Sequence, residues 1–272
     1  ILGLDYEARN THVIHAGTVR RDGKVLTNGG RVLSVVSSDT NLDSALKGAY
    51  AVLGEKVKFE GMHFRKDIGA RALKAPIKLG VLGSTRGTSM QYIIDAIANG
   101  WLRASIEVVV SNKKSAVILE RAQNHGINAQ FISAKDQNRP EFDAKVTECL
   151  KKHDVDLVLA IGYMRILSDE FVREWWGRTL NVHPSLLPEF AGGMDLQVHQ
   201  AVVDAKKEFS GCTVHFITEE LDGGPIAVQK RCKVLSEDTA ETLKARVQPL
   251  EGPAFVEAIY KYGNGDYKEL CK

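Results

Sequence analysis

The sequence has few cysteines and no long apolar run. Its four cysteines are far apart and form no Cys-x-x-Cys pair: Cys149, Cys212, Cys232 and Cys271. This spacing argues against a zinc cage or a disulfide framework, and we expect reduced thiols in a cytoplasmic protein. No apolar run approaches the ~20 residues that a membrane-spanning helix needs. We therefore expect no membrane partner.

A strong charge of one sign is also missing. The formal net charge is +2, and charged residues make up 26% of the chain. Such a balance gives no reason to expect a nucleic acid partner. The histidines at 183, 199 and 215 lack the spacing of metal ligands, and the chain has no Gly-x-Ser-x-Gly nucleophile motif. These absences argue against a metal site and a serine hydrolase, and they leave small molecules as the expected partners.

The chain divides into two regions that meet at Ala75-Pro76. Residues 1–74 contain short strands around an Asp-Gly hairpin signal and a predicted helix over 41–53. From Ile77 onward, apolar strands alternate with helices, which is typical of a parallel α/β sheet. The predicted strands are 77–82, 106–110, 130–133, 157–162, 179–183, 213–218 and 226–234. The predicted helices are 88–99, 114–124, 139–153, 168–176 and 239–262.

The fold prediction is therefore an open, mostly parallel, Rossmann-like sheet with helices on both faces. A small mixed α+β segment precedes it. Hydrophobic residues make up 44% of the chain, which is ample for a packed core. The chain starts with Ile1 rather than Met, so we expect that it begins inside a longer polypeptide.

Asn181 and His183 stand two residues apart at the end of a predicted strand, followed by Pro184. Residues two apart in a strand point to the same face, so the two side chains can converge. An amide donor and an imidazole can together polarise a carbonyl and move a proton. The alternative is a buried structural histidine beside a turn asparagine. Ligands bind at the carboxyl ends of strands in open α/β sheets, which favours the functional interpretation.

Two loops offer groups that such a site would use. Residues 83–89 join the first α/β strand to a helix, and their backbone N–H groups suit a phosphate, with Arg86 as an added charge. An ordinary helix cap explains the same residues. Asp222 lies in the tight loop 219–225, which is either a surface turn or a source of the carboxylate that holds a protonated His183. His215, on the preceding strand, either joins this cluster or packs.

Residues 77–262 resemble the phosphoribosylglycinamide formyltransferase family, the folate-dependent transformylases of purine synthesis. The matching segments are 162–167 (GYMRIL), 181–188 (NVHPSLLP), 213–216 (TVHF), 219–225 (EELDGGP) and 246–248 (RVQ) with Glu251. The resemblance implies transfer of a formyl group from 10-formyltetrahydrofolate to the amine of glycinamide ribonucleotide, with no metal.

The resemblance also implies roles for individual residues. Asn181 and protonated His183 would stabilise the oxyanion, while Asp222 would orient His183 and help to move the amine proton through water. The ribonucleotide contacts would be Arg86, Gly87, Thr88, Ser89, Gln248 and Glu251, with Glu251 attracting the amino group. The folate contacts would be Arg139, Met164, Arg165, Ile166, Leu167, Glu219 and Glu220.

The sequence departs from the family pattern in two places. Residues 84–90 read Ser-Thr-Arg-Gly-Thr-Ser-Met, whereas the family usually has Gly-x-Gly-Ser-Asn. Arg86 is a candidate substitute contact for the phosphate there. The segment 190–199 is longer than usual, and Gly192-Gly193 within it offers backbone N–H groups to an anion.

Residues 1–74 resemble the C-terminal part of glycinamide ribonucleotide synthetase, an ATP-grasp ligase. The match lies in residues 15–18, 27–33 and 65–69. In that family the ATP-binding core lies upstream of this part, so we expect residues 1–74 to be non-catalytic and residues 75–272 to form the formyltransferase domain. The resemblance further predicts other purine-pathway domains in the same polypeptide.

Three alternatives stand beside this interpretation. A methionyl-tRNA formyltransferase would usually carry a basic C-terminal domain, and a formyltetrahydrofolate hydrolase would carry an N-terminal regulatory domain. Gln248 and Glu251 favour the nucleotide substrate over both. The third alternative is a non-catalytic folate- or nucleotide-binding module, which would have no need of Asn181, His183 and Asp222 together.

Overall fold

The computed structural model describes residues 1–6, 8, 10–69, 73 and 75–269. The chain forms two compact units, Ile1–Ala75 and Pro76–Lys272. Cys271, expected to be a reduced thiol, lies outside the described residues, while Cys149, Cys212 and Cys232 are free thiols. Within the described residues, no helix combines the length and the apolar character that a membrane crossing requires.

In its described residues, the first unit contains two small antiparallel sheets and a helix. Its elements are β1 (Thr11–His15), β2 (Thr18–Arg21), β3 (Lys24–Thr27), β4 (Leu33–Ser37) and α1 (Leu42–Val52). β1 pairs with β4, and β2 pairs with β3 around Asp22-Gly23. Both turn residues have positive φ, which the tight hairpin turn requires. Asn41 caps α1 by accepting a hydrogen bond from the Ser44 N–H, so the predicted hairpin and helix are both present.

The second unit is built around one seven-stranded sheet. Its strands are β5 (Ile77–Leu82), β6 (Ala104–Ser111), β7 (Asn128–Phe131), β8 (Leu157–Ala160), β9 (Thr179–His183), β10 (Phe209–Phe216) and β11 (Ile226–Lys233). Its helices are α2 (Thr88–Ala98), α3 (Val117–Asn124), α4 (Arg139–Lys152), α5 (Asp169–Glu174), α6 (Leu196–Asp204) and α7 (Ala240–Asn264). The strand order is β11-β10-β9-β8-β5-β6-β7. The five strands from β9 to β7 pair in parallel, and β10 pairs antiparallel with both β9 and β11. This confirms the predicted mostly parallel sheet.

Helices cover both faces of this sheet, as predicted. Every residue of β8 is buried, which is expected of a central parallel strand. Leu157 and Leu159 pack in the core with α2, α3 and α7, whereas Val158 packs with α4 and α5. Alternate side chains of one strand thus enter two separate cores.

The order of the strands locates the crevice of the sheet. From β5 the chain proceeds outward through β6 and β7, and it then returns to the other side of β5 with β8 and β9. The carboxyl ends of β5 and β8 therefore border a topological switch point, where open α/β sheets bind ligands.

The structure corrects the prediction in one segment and refines it in others. Helix α6 was not predicted. It starts after Asp195, which has a φ of 50° and makes no side-chain cap hydrogen bond, so the usual N-terminal signal is missing. Val198 and Val202, four residues apart and buried, were the available sign of a helix. Strands β6, β7 and β10 each start a few residues before their predicted bounds.

Candidate active site

One cavity of about 950 Å³ opens at the carboxyl ends of β5, β8 and β9. It is lined by all sixteen residues that the sequence analysis assigned to a site: Arg86, Gly87, Thr88, Ser89, Arg139, Met164, Arg165, Ile166, Leu167, Asn181, His183, Glu219, Glu220, Asp222, Gln248 and Glu251. Residues from loops distant in sequence therefore meet at the carboxyl ends of the strands, where the strand order places the crevice.

His183, the last residue of β9, is held between two hydrogen-bond acceptors. Its Nδ1 lies 3.2 Å from Oδ2 of Asp222, and its Nε2 lies 2.9 Å from the carbonyl oxygen of Phe190. The His183 and Asp222 side chains are only 4% and 8% exposed. Because both partners accept, an imidazolium with two N–H donors satisfies the whole arrangement.

Asp222, in the loop after β10, accepts hydrogen bonds from two donors and lies near a third polar side chain. Besides His183, it accepts a hydrogen bond from the Gly192 N–H at 2.8 Å, and His215 Nε2 lies 3.5 Å from its Oδ1. Burial raises the pKa of this carboxyl, but the contacts with His183, His215 and Gly192 together outweigh burial and hold its pKa well below its usual range. Asp222 is therefore a carboxylate at neutral pH.

Asn181 is oriented by His215 on the neighbouring antiparallel strand. The two residues face each other across β9 and β10. The His215 Nδ1–H donates to the Phe216 carbonyl at 3.0 Å, which leaves Nε2 to accept from the Asn181 amide at 3.1 Å. His215 thus joins the cluster rather than only packing, and it fixes which edge of the Asn181 amide faces the cavity.

The loop before α2 forms one end of the cavity. Gly87, the residue before α2, has a φ of 63°, and a Cβ there would lie 2.4 Å from the side chain of Ile118. Only glycine fits this position. Gln248 donates to Thr88 Oγ1 at 3.0 Å, and Ser89 Oγ donates to Glu251 at 2.8 Å. These bonds join α7 to the first turn of α2, where backbone N–H groups and the helix dipole suit an anion.

Apolar side chains and two arginines form the other end. Met164 and Ile166 are 41% and 57% exposed, and the Arg165 guanidinium lies 4.5 Å over the ring of Phe142. Arg139, the first residue of α4, lines the same part of the cavity. An apolar wall with a few placed polar groups suits a flat aromatic ligand, and the arginines suit an acidic tail.

The cavity also contains residues that the sequence analysis did not assign. Lys244, Asp195 and His199 line it near the loop before α2. The spacing of Lys244, Gln248 and Glu251, which repeats the face of a helix, was the available signal for Lys244. Among the described residues, no group of three or more His, Cys, Asp or Glu side chains could hold a metal ion.

Both units match known protein families. Residues 77–259 match the family described as "Formyl transferase", and residues 1–71 match the family described as "Phosphoribosylglycinamide synthetase, C domain". The first match covers most of the second unit and all the cavity residues named above.

Individual relatives agree with these matches. A "Phosphoribosylglycinamide formyltransferase" of Haemophilus influenzae is 40% identical over 64% of this chain and 81% of its own length. A crystal structure of "glycinamide ribonucleotide transformylase 1" from Symbiobacterium toebii superposes with a TM-score of 0.67 at 35% identity, over 77% of this chain and 94% of the other.

A longer relative matches this chain over a small part of its own length. The "Trifunctional purine biosynthetic protein adenosine-3" of Bos taurus is 40% identical over 69% of this chain, and the match spans only 18% of that protein's length. The extent of the family match, together with the relatives of similar length to the second unit, settles the family. The chain belongs to the formyl transferase family, among the phosphoribosylglycinamide formyltransferases.

Proposed function

We propose that this chain transfers the formyl group of 10-formyltetrahydrofolate to the amine of glycinamide ribonucleotide, a step of purine synthesis. The observation that carries the proposal is the meeting of Asn181, His183 and Asp222 in one cavity, between a loop whose backbone N–H groups suit an anion and an apolar wall. The names of the relatives support the same reaction.

The reaction begins with attack of the substrate amine on the formyl carbon, which places negative charge on the formyl oxygen. The Nε2–H of His183, which here donates to the Phe190 carbonyl, would donate to that oxyanion instead. The Asn181 amide, already oriented by His215, would be the second donor. Donors fixed in place before the reaction are worth ~10²–10³ in rate each.

Asp222 would keep His183 aligned. Its carboxylate accepts from Nδ1, and its low pKa means that it stays negative beside the imidazole. As the amine becomes a formamide it loses a proton, and Asp222 would help to move this proton, through a water molecule, toward the folate nitrogen that departs. The departing folate nitrogen gains a proton, so the transfer is balanced without a metal.

The two substrates would occupy opposite ends of the cavity. The ribonucleotide would contact Arg86, Gly87, Thr88, Ser89, Gln248 and Glu251, with its phosphate at the first turn of α2. The folate would contact Arg139, Met164, Arg165, Ile166, Leu167, Glu219 and Glu220. The amine and the formyl carbon would then lie between them, beside Asn181 and His183.

Steady-state kinetics with glycinamide ribonucleotide and 10-formyldideazafolate test the proposal. We expect His183→Ala and Asp222→Asn to lower kcat by ~10²–10⁴, the usual range for lost acid–base and oxyanion groups. KM should change little, since these side chains act on the transition state. His125→Ala, at an exposed histidine of the same unit that does not line the cavity, is the matched control. Variants of His183 and Asp222 with the wild-type kcat would contradict the mechanism.

A further inference from the structure

One face of α7 forms the wall of the cavity beside the loop before α2. Lys244, Gln248 and Glu251 lie on this face at spacings of four and three residues, and all three line the cavity. Gln248 and Glu251 are hydrogen-bonded to Thr88 and Ser89. Lys244 lies about one turn, ~6 Å along the axis, before Gln248. Its long side chain therefore lines the same cavity as the loop before α2.

Lys244 has a partner that is easily exchanged. Its ammonium pairs with the carboxylate of Asp195, the residue that precedes α6. The two side chains are 36% and 57% exposed, and ion pairs with this much solvent access contribute little to stability. A phosphate monoester carries more charge than a carboxylate and has three acceptor oxygens, so it competes well for the same ammonium.

His199 provides an independent sign that this end of the cavity receives a ligand. It is 2% exposed, it lines the cavity, and no described group forms a hydrogen bond with its Nδ1. Burial lowers the pKa of His199, the charge of Lys244 lowers it further, and Asp195 raises it. His199 is thus close enough for the charges of both Lys244 and Asp195 to shift its pKa. A buried ring nitrogen without a partner is costly, and a bound ligand would relieve that cost.

The other cavity cations are less suited to this role. Among the described residues that line the cavity, Arg139 and Arg165 lie at the apolar end, and Arg86 projects from the exposed part of the loop. Lys244 is the cation that shares a helix face with Gln248 and Glu251.

We propose that Lys244 binds the phosphate of the ribonucleotide and exchanges the Asp195 carboxylate for it. This inference rests on the proposed function, because it assumes that the nucleotide binds at this end. It also identifies a cation that would bind the phosphate together with the loop at 84–90, where the sequence departs from the family pattern. Asp195 then acts as a competitor that holds the ammonium until the nucleotide arrives.

Calorimetric titration of the full chain tests this assignment with two ligands, glycinamide ribonucleotide and its 5′-dephosphorylated nucleoside. We expect Lys244→Gln to weaken binding of the nucleotide by about 10- to 100-fold, as for the loss of a charged hydrogen bond, and to leave binding of the nucleoside unchanged. Asp195→Asn removes the competitor and should leave nucleotide affinity equal or higher. The control is Lys207→Gln, at a lysine that pairs with Glu189 with similar exposure and does not line the cavity.

The outcomes separate this inference from a merely structural ion pair. If the pair only supported the fold, Lys244→Gln and Asp195→Asn would weaken both ligands alike, and that result would overturn the proposal. Failure of formyl transfer by the wild type would refute the proposed function, while the titrations would still decide the role of Lys244. If the wild type does not bind the nucleotide, that result would contradict both the proposed function and the proposed role of Lys244.

Discussion

Glu251 is a half-buried carboxylic acid on the cavity wall. Burial raises its pKa, and the hydrogen bond from Ser89 offsets only part of this effect. A carboxyl with a raised pKa prefers its protonated form in the folded state, so its ionisation destabilises the fold. The stability is greatest below the ordinary glutamate pKa and is lost as the pH rises through the folded value. The protein keeps this acid despite its cost, as expected of a residue that attracts a substrate amine.

Replacing Glu251 by glutamine should therefore stabilise the protein and harm binding. Glu251→Gln keeps the shape and the contact with Ser89 but removes the charge. We expect it to unfold at a higher temperature than the wild type at neutral pH, with the difference in unfolding temperature narrowing as the pH falls and the wild-type carboxyl gains its proton. Thermal unfolding at several pH values measures this, and the exposed Glu120 supplies a control variant, Glu120→Gln. A Glu251→Gln protein that is less stable than the wild type, by a difference in unfolding temperature that does not change with pH, would contradict this prediction.

At the scale of single residues, the functional side chains could be predicted from the sequence, but not all of their hydrogen-bond partners could. The spacing of Asn181 and His183 in a strand was enough to predict that they converge. The orientation of Asn181 by His215 depends on the antiparallel register of β9 and β10, which periodicity does not contain. Lys244 was missed because a lone lysine on a helix is usually a solvated residue.

At the scale of elements, α7 shows packing overriding local preference. The helix runs without a break from Ala240 to Asn264 although Pro249 and Pro253 lie inside it. Each proline removes one backbone hydrogen bond, at ~3 kcal/mol in an exposed helix. Buried side chains on the same helix, among them Val247 and Phe255, compensate by packing in the core. The apolar pattern was therefore a better predictor of this helix than its prolines.

The contact between α2 and α7 depends on a glycine. A Cβ added at Gly252 would lie 2.4 Å from ring atoms of Tyr92 on α2, atoms too near the backbone to move aside freely. Alanine is the better helix former by ~0.5–1 kcal/mol, but overpacking costs ~1–3 kcal/mol, so the clash dominates. The same two helices hold the Gln248–Thr88 and Glu251–Ser89 bonds.

We therefore predict that Gly252→Ala destabilises the protein by ~1–2 kcal/mol and raises KM for the ribonucleotide more than KM for the folate. Denaturant unfolding and steady-state kinetics measure the two effects. Adding Tyr92→Gly removes the clashing ring together with the Tyr92 Cβ, which lies 2.5 Å from the added atom, and should restore the KM for the ribonucleotide. A Gly252→Ala protein as stable as the wild type, or a double variant with no recovery, would show that this contact does not position the loop.

At the scale of the whole molecule, strand–helix alternation was sufficient to predict a parallel α/β unit. It could not give the order of the strands, because order depends on which edges meet in space. That order puts β8 beside β5 and creates the crevice where the cavity lies. The antiparallel pairing of β10 was likewise unpredicted, and it brings His215 and the Asp222 loop to the end of β9.

The two units differ in what they contribute to the proposed function. All the cavity residues lie in the second unit, and residues 1–71 match a synthetase C domain. We propose that residues 1–74 have no catalytic role of their own, that residues 75–272 perform the transfer, and that the chain works beside other purine-pathway domains. The trifunctional relatives, which this chain matches over 14–19% of their length, support that proposal.

The central claim is that the formyl group moves to the nucleotide amine and not to water. The most direct test incubates the wild-type chain with glycinamide ribonucleotide and a folate cofactor labelled with ¹³C in the formyl group, and follows the label by NMR and mass spectrometry. The account predicts a labelled formamide on the nucleotide, formed in step with the loss of formyl folate. Release of the label as formate, with the nucleotide unchanged, would contradict it.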